Sequence, residues 1–268
     1  MVDLMGQYSK IKNEIDRNII SSIESGRFVN GPIVKEFSEN LSDYLNVKNV
    51  IPCANGTDAL QIAFMALDLK PGDEIICPSW TYIATAEAAA ILGLKVIFCD
   101  VDINTFNSKA EFIEPLINSN TKAIVPVHLY GQSCEMDGIL SLAKKYDLKI
   151  IEDNAHGLFG KYKNKFLGTF GTFSTQSFHE TKNITCGEGG SLFINDAKYI
   201  ERAEIIFDKG TNRQKFFKKK VDKYSWVDFG SSYRLADLLA SFLYGQLENF
   251  QKIQLKREKI WLKYYALL

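Results

Sequence analysis

The chain has 268 residues, 46% hydrophobic and 24% charged, which suits one large α/β domain or that plus part of a second. With 32 Lys+Arg against 32 Asp+Glu, the net charge is zero, and the basic excess of a nucleic-acid binder is absent. Five scattered cysteines make no CxxC pair and no metal spacing, and neither a signal-peptide pattern nor an apolar run of membrane-spanning length occurs; a reducing, cytoplasmic setting with no membrane and no metal is expected.

In chain order, the first clear helical pattern covers 58–67, where Leu60, Ala63, Phe64 and Leu67 fall on one face. Strand-like runs follow at 74–77, 95–99, 123–127, 149–152, 172–177 and 191–194, with helical patterns at 83–92, 109–117 and 136–146 between them. Turn chemistry marks the joints: Pro71-Gly72-Asp73 precedes one strand, and Gly93 follows one helix. Val- and Ile-rich strands that alternate with helices predict a mostly parallel sheet between helix layers. A further helix is predicted over 196–208, then a loop rich in Gly, Lys and aromatics to about 233. The basic stretch Lys215–Lys220 in that loop is a solvated surface run. One long helix is predicted from 235 to 268, where the pattern stops without Gly, Asn or Pro, as expected of a chain that continues beyond this point.

Four segments carry chemistry. Ala54-Asn55-Gly56-Thr57-Asp58 marks a loop turning into a helix, whose free N–H groups and dipole suit a phosphate. On that segment alone, Thr57 or Asp58 as a plain N-cap is the better account. Lys149–Asp153 places Asp153 at the carboxyl end of a buried strand, where open parallel sheets bind ligands; there it either holds a pyridinium nitrogen protonated or caps the next turn. Residues 173–183 form a strand entering an irregular turn that holds Ser177, His179 and Lys182 and runs on to Gly187-Glu188-Gly189-Gly190. In this setting an amine placed to attack an aldehyde is the better account of Lys182 than a surface charge, because it lies among hydrogen-bonding neighbours and off any helical surface face. Pro78–Thr85 sets Trp80 and Tyr82 at another strand-to-helix junction, where an aromatic either stacks on a flat ring or packs in the core.

These segments, together with Asp208–Arg213 and the stretches 222–226 and 230–233, resemble the DegT/DnrJ/StrS family of sugar aminotransferases, and within it the dTDP-4-amino-4,6-dideoxygalactose transaminase group. The likeness covers about 30–268. It implies a fold-type-I α/β architecture with a seven-stranded-type sheet. The expected division is a large domain over 1–234 with the start of a helix over 235–268, which leads to a small C-terminal domain largely missing here. It implies pyridoxal 5'-phosphate (PLP) on Lys182, Asp153 at the pyridine nitrogen and His156 near the phenolic oxygen. The phosphate would be held by Gly56, Thr57 and Ser177, with Tyr82 stacked on the ring, Trp80 structural and His179 behind the contact residues. Ser232 takes the place of an Asn that reaches the partner subunit's phosphate in relatives, so a homodimer with shared sites is implied. The implied reaction moves an amino group from glutamate to a nucleotide-linked 4-keto-6-deoxy sugar. The opening 2–8 resembles some 3-aminotransferases, which keeps amination at C3 as an alternative. A PLP-binding regulatory protein without turnover is a further alternative.

Overall fold

A computed structural model describes residues 3–268; Met1 and Val2 of the opening segment lie outside the described residues. Three helices come first. Helix α1 (Leu4–Lys10) is capped by Asp3, whose side chain accepts from Gly6 N at 2.8 Å. Helices α2 (Lys12–Ser25) and α3 (Pro32–Leu45) follow, the latter opening on a proline whose missing N–H costs nothing in the first turn. Strand β1 (Asn49–Cys53) leads into α4 (Gly56–Ala66), and β2 (Glu74–Pro78), α5 (Ala84–Ile91), β3 (Lys95–Cys99), the short α6 (Ala110–Ile113) and β4 (Thr121–Ile124) continue the alternation. Then come α7 (Met136–Lys145), β5 (Lys149–Asp153), a small hairpin of β6 (Lys161–Tyr162) and β7 (Lys165–Phe166), β8 (Phe173–Ser177) and β9 (Gly190–Ile194). Helices α8 (Ile200–Phe207), α9 (Arg213–Phe217), α10 (Asp237–Glu248) and α11 (Phe250–Leu267) complete the chain.

Among the described residues the main sheet has seven strands in the order β1-β9-β8-β5-β4-β2-β3. Its pairings from β8 through β5, β4 and β2 to β3 are parallel, while β9 runs antiparallel to both β8 and β1. The mostly parallel α/β sheet expected from the sequence is therefore present. Strand β1 escaped the sequence reading because Pro52 weakens a strand pattern; it is tolerated here because β1 lies at the edge of the sheet. The predicted helix over 235–268 is two helices, broken at Asn249.

Successive strand residues point to opposite faces, and the core divides accordingly. Ile75, Ala123 and Ile151 pack under α4, α5 and α8, whereas Ile76, Ile124 and Ile150 pack with Ile113, Met136 and Ile139 of α6 and α7. A third cluster joins Phe37 and Leu41 of α3, Phe178, Phe193, and Ala240 and Leu243 of α10. Leu235, Ala240 and Leu243 thus pack against residues from the earlier part of the chain. The Asp237 carboxylate ties the chain's two ends together: it accepts from Ser22 Oγ at 2.8 Å and Val34 N at 3.1 Å, while Asp237 N donates to Phe28 O at 2.9 Å. Because the central strands are parallel, their carboxyl ends share one edge of the sheet, and a cleft opens there.

Candidate active site

The cleft has a volume of about 890 Å³ and takes its walls from the β1–α4, β2–α5, β5 and β8–β9 junctions. Gly56, Thr57, Tyr82, Asp153, His156, Ser177 and Lys182 all line it, although they were found in segments up to 126 residues apart in the chain. Trp80 and His179 line it as well. Ser232 does not: it is exposed, and its backbone pairs with Asp208.

At one end lies the start of α4. Its N-cap is Asn55, whose side chain accepts from Asp58 N at 2.8 Å, and not Thr57 or Asp58 as the segment alone suggested. With capping done by Asn55, Thr57 faces the cleft beside free helix N–H groups, an arrangement that attracts an anion. Ser177 lies against this helix start: a Cβ on Gly56 would meet Ser177 Cβ at 3.0 Å. Behind the loop, a Cβ on Gly190 would come within 2.3 Å of the Asn55 backbone, so β9 can support the loop only with a glycine there.

Asp153 ends β5 and is 7% exposed. Its two oxygens are both engaged: Oδ2 accepts from Thr85 Oγ1 at 2.7 Å, and Oδ1 accepts from Ala155 N at 3.2 Å. The turn-capping reading and the cleft-facing reading of this residue are therefore compatible. Thr175, its register partner on β8, is buried and lines the cleft with a hydroxyl that has no hydrogen-bond partner among the described residues.

Lys182 is held in a tight turn, with its N–H donating to His179 O at 2.9 Å. Next to it, Asn183 Nδ2 donates to Leu158 O at 2.9 Å and His156 O at 3.2 Å, fastening the lysine turn to the loop after β5. Burial holds the Lys182 amine below the ordinary lysine value, against the opposing pull of the Asp153 charge. Burial, and secondarily the Lys182 charge, likewise lower His156. Its Nδ1 accepts from Tyr130 N at 3.2 Å, which leaves the ring proton on Nε2. Tyr130 stacks on the imidazole at 5.8 Å and takes a left-handed backbone, φ 53°, uncommon for a side chain of this size.

Glu152, the neighbour of Asp153, points to the other face of the sheet and is fully buried. It accepts from Gly168 N, Phe170 N and Gly171 N at 2.7–2.8 Å and meets His128 Nε2 at 2.9 Å. Cys134 N donates to His128 Nδ1 at 3.2 Å; that bond needs a free lone pair on Nδ1 and fixes the neutral Nε2–H tautomer. Strand β5 thus fastens the surrounding loops with one carboxylate and presents the other to the cleft. Sequence reasoning missed Thr85, Thr175, Asn183 and the Glu152–His128 pair, since the surroundings of each are set by segments remote in the chain.

The DegT/DnrJ/EryC1/StrS aminotransferase family profile matches residues 9–268. The chain belongs to this family. It is similar to the UDP-2-acetamido-2-deoxy-3-oxo-D-glucuronate aminotransferase of Pseudomonas aeruginosa, at 38% identity over 98% of this chain and 71% of that protein. Among solved structures it is similar to a DegT/DnrJ/EryC1/StrS aminotransferase from Brucella abortus, with TM-score 0.85 and 35% identity over 92% of this chain and 66% of that one. It is also similar to NtdA from Bacillus subtilis with bound cofactor PMP, with TM-score 0.80 and 31% identity over 88% and 52% of the two chains. The chain spans about two thirds of the length of the Brucella protein. The family is one of PLP-dependent aminotransferases, and the residues of this cleft fit that cofactor: a helix start for its phosphate, a carboxylate and an unpartnered hydroxyl on its floor, and a lysine with a depressed pKa. No helix among the described residues is long and apolar enough to cross a membrane.

Proposed function

We propose that the protein transfers an amino group from glutamate to the keto carbon of a nucleotide-linked sugar, with PLP held on Lys182. The observation that carries this reading is the convergence in one cleft of Lys182, its amine pKa lowered by burial, with the buried Asp153 carboxylate and the Gly56–Thr57 helix start. When bound, PLP supplies an electron sink for the carbon that loses or gains the proton. Lys182 Nζ would hold the cofactor and would serve as the base that moves the proton, a task that suits an amine less basic than a surface lysine. Asp153 would meet the ring nitrogen with a carboxylate whose two oxygens are both held in place. The backbone at Gly56 and Thr57, with the Thr57 and Ser177 hydroxyls, would hold the phosphate. His156 Nε2–H and the Thr175 hydroxyl remain available to polar groups on the ring, and Tyr82, 71% exposed at the cleft wall, is free to lie against its face.

The motif likeness favours a 4-keto-6-deoxy sugar. The similarity to the P. aeruginosa enzyme, whose substrate carries a 3-oxo group and a UDP, favours the second reading, amination at C3 of a UDP sugar. The sharing of sites between two subunits rests on Ser232 and its exposed neighbours Trp226 and Phe229. A panel of dTDP- and UDP-linked 3-keto and 4-keto sugars, incubated with glutamate and the PLP-loaded protein, tests the reading. NMR of the product identifies the aminated carbon. No amination of any keto sugar, by protein shown to bind PLP on Lys182, would overturn it.

A further inference from the structure

Asp153 is not oriented by its own strand alone. Thr85 lies 68 residues earlier, in the first turn of α5, fully buried, and its Oγ1 is 2.7 Å from Asp153 Oδ2. A carboxylate only accepts, so Thr85 must spend its single proton on Asp153. The Thr81 hydroxyl lies 3.0 Å from Thr85 Oγ1, and with the Thr85 proton already committed, Thr81 can only be the donor there. The result is a directed chain, Thr81 O–H to Thr85 Oγ1 and Thr85 O–H to Asp153 Oδ2. Its outer end belongs to the cleft-wall loop that carries Trp80 and Tyr82.

We propose that Thr85 is a positioning residue for the reaction, and that Thr81 and Thr85 together couple the aromatic wall of the cleft to the carboxylate facing the ring nitrogen. The inference rests on the PLP reading of the cleft and adds to it. Hydrogen bonds in a chain polarise one another, and each strengthens the next when it points toward a charge. Here both point toward Asp153. Ala155 N alone would fix Oδ1 and leave the carboxylate free to rotate about that anchor; the Thr85 bond removes this freedom. Thr85 is itself fully buried, so its hydroxyl is committed to this pair and is not exchanged with solvent. Thr85 does not line the cleft and would therefore act through Asp153.

The test uses the PLP holoenzyme with the cofactor labelled with 15N at the pyridine nitrogen. Thr85→Val keeps the shape and removes the proton donor; Thr85→Ser restores it; Thr81→Val removes only the outer donor and leaves the core untouched. In the unsubstituted enzyme the 15N resonance is expected at the protonated position. In Thr85→Val it is expected to move toward the unprotonated position, with kcat reduced about ten- to hundred-fold, the rate equivalent of one charge-assisted hydrogen bond, and KM for the sugar little changed. Thr85→Ser should return both readouts, and Thr81→Val should move both in the same direction by less. If Thr85→Val folds and binds PLP with the parental 15N shift and kcat, the proposal is overturned. Should Thr85→Val fail to fold, a Thr81→Val enzyme with parental shift and kcat overturns it equally. Failure of the unsubstituted protein to take up PLP would instead overturn the reading of the cleft, so the two failures are distinguishable.

Discussion

Gly190→Ala tests whether β9 really sets the position of the proposed phosphate loop. The added methyl would lie 2.3 Å from both the carbonyl carbon and oxygen of Asn55 and 2.7 Å from Gly56 N. Relaxed contacts between such atoms need about 3.5 Å, so the loop or the strand must yield by about 1 Å. β9 is hydrogen-bonded on both sides, to β1 and β8, and is buried throughout, whereas the Asn55 turn is bordered by the open cleft. The loop is therefore the part that moves, which displaces the first turn of α4 from the Ser177 hydroxyl. Overpacking of this kind costs roughly 1–3 kcal/mol of stability. A misplacement of about 1 Å in a binding group costs on the order of a hundredfold in function. The assay is a titration of the apoprotein with PLP followed by its visible absorbance, alongside a thermal melt. A protein that still folds, melts a few degrees lower and binds PLP at least tenfold more weakly is the expected outcome. Parental PLP affinity together with a parental melt would refute the placement of the loop against Gly190.

Borohydride reduction of the PLP-loaded protein should leave the cofactor covalently on Lys182, and Lys182→Ala should lose both the adduct and transamination; an adduct mapped to another lysine would refute the assignment. Since burial lowers the Lys182 pKa and only the neutral amine attacks an aldehyde, the rate of PLP capture by the apoprotein should rise with pH and level off below the ordinary lysine value of 10.5, as stopped-flow absorbance would show. Asp153→Asn keeps the shape but removes the charge, so PLP should still bind while kcat falls by roughly two to three orders of magnitude; near-parental turnover would reduce Asp153 to a turn cap. Mixing Lys182→Ala chains with Ser232→Trp chains should restore part of the activity if sites are shared across two subunits, because one site of each mixed dimer carries neither lesion; no recovery after demonstrated subunit exchange would count against sharing.

The parts of the site that were legible in the sequence are those whose meaning is local. Asp153 was found because it ends an apolar strand, Gly56 because it starts a helix, and Lys182 because its neighbours are those of a turn. Local signals failed wherever the decisive partner is distant. Thr85 has no signature of its own within the Ala-rich helix α5; only the arrival of Asp153 from another strand gives its hydroxyl a task. Glu152 and Asp153 are indistinguishable as adjacent carboxylates until the strand's alternation sends one to each face. Asn55 does not stand out as the cap because Thr57 and Asp58, two and three residues later, are also good capping types, and only the backbone decides among them. The break between α10 and α11 was hidden because Asn249 interrupts the geometry and not the apolar pattern.

The tie made by Asp237 bears on the order in which the molecule is put together. Helices α2 and α3 leave the ribosome early, yet the carboxylate that accepts from Ser22 and Val34 is made more than 200 residues later, as are the α10 side chains that complete their apolar cluster. At typical elongation rates of about 5–20 residues per second, the N-terminal helices wait on the order of ten seconds or more with that face uncovered. The sheet, whose parallel pairs join neighbouring βα units, can assemble meanwhile. Synthesis therefore runs ahead of this clasp, which can close only once Asp237 has been made.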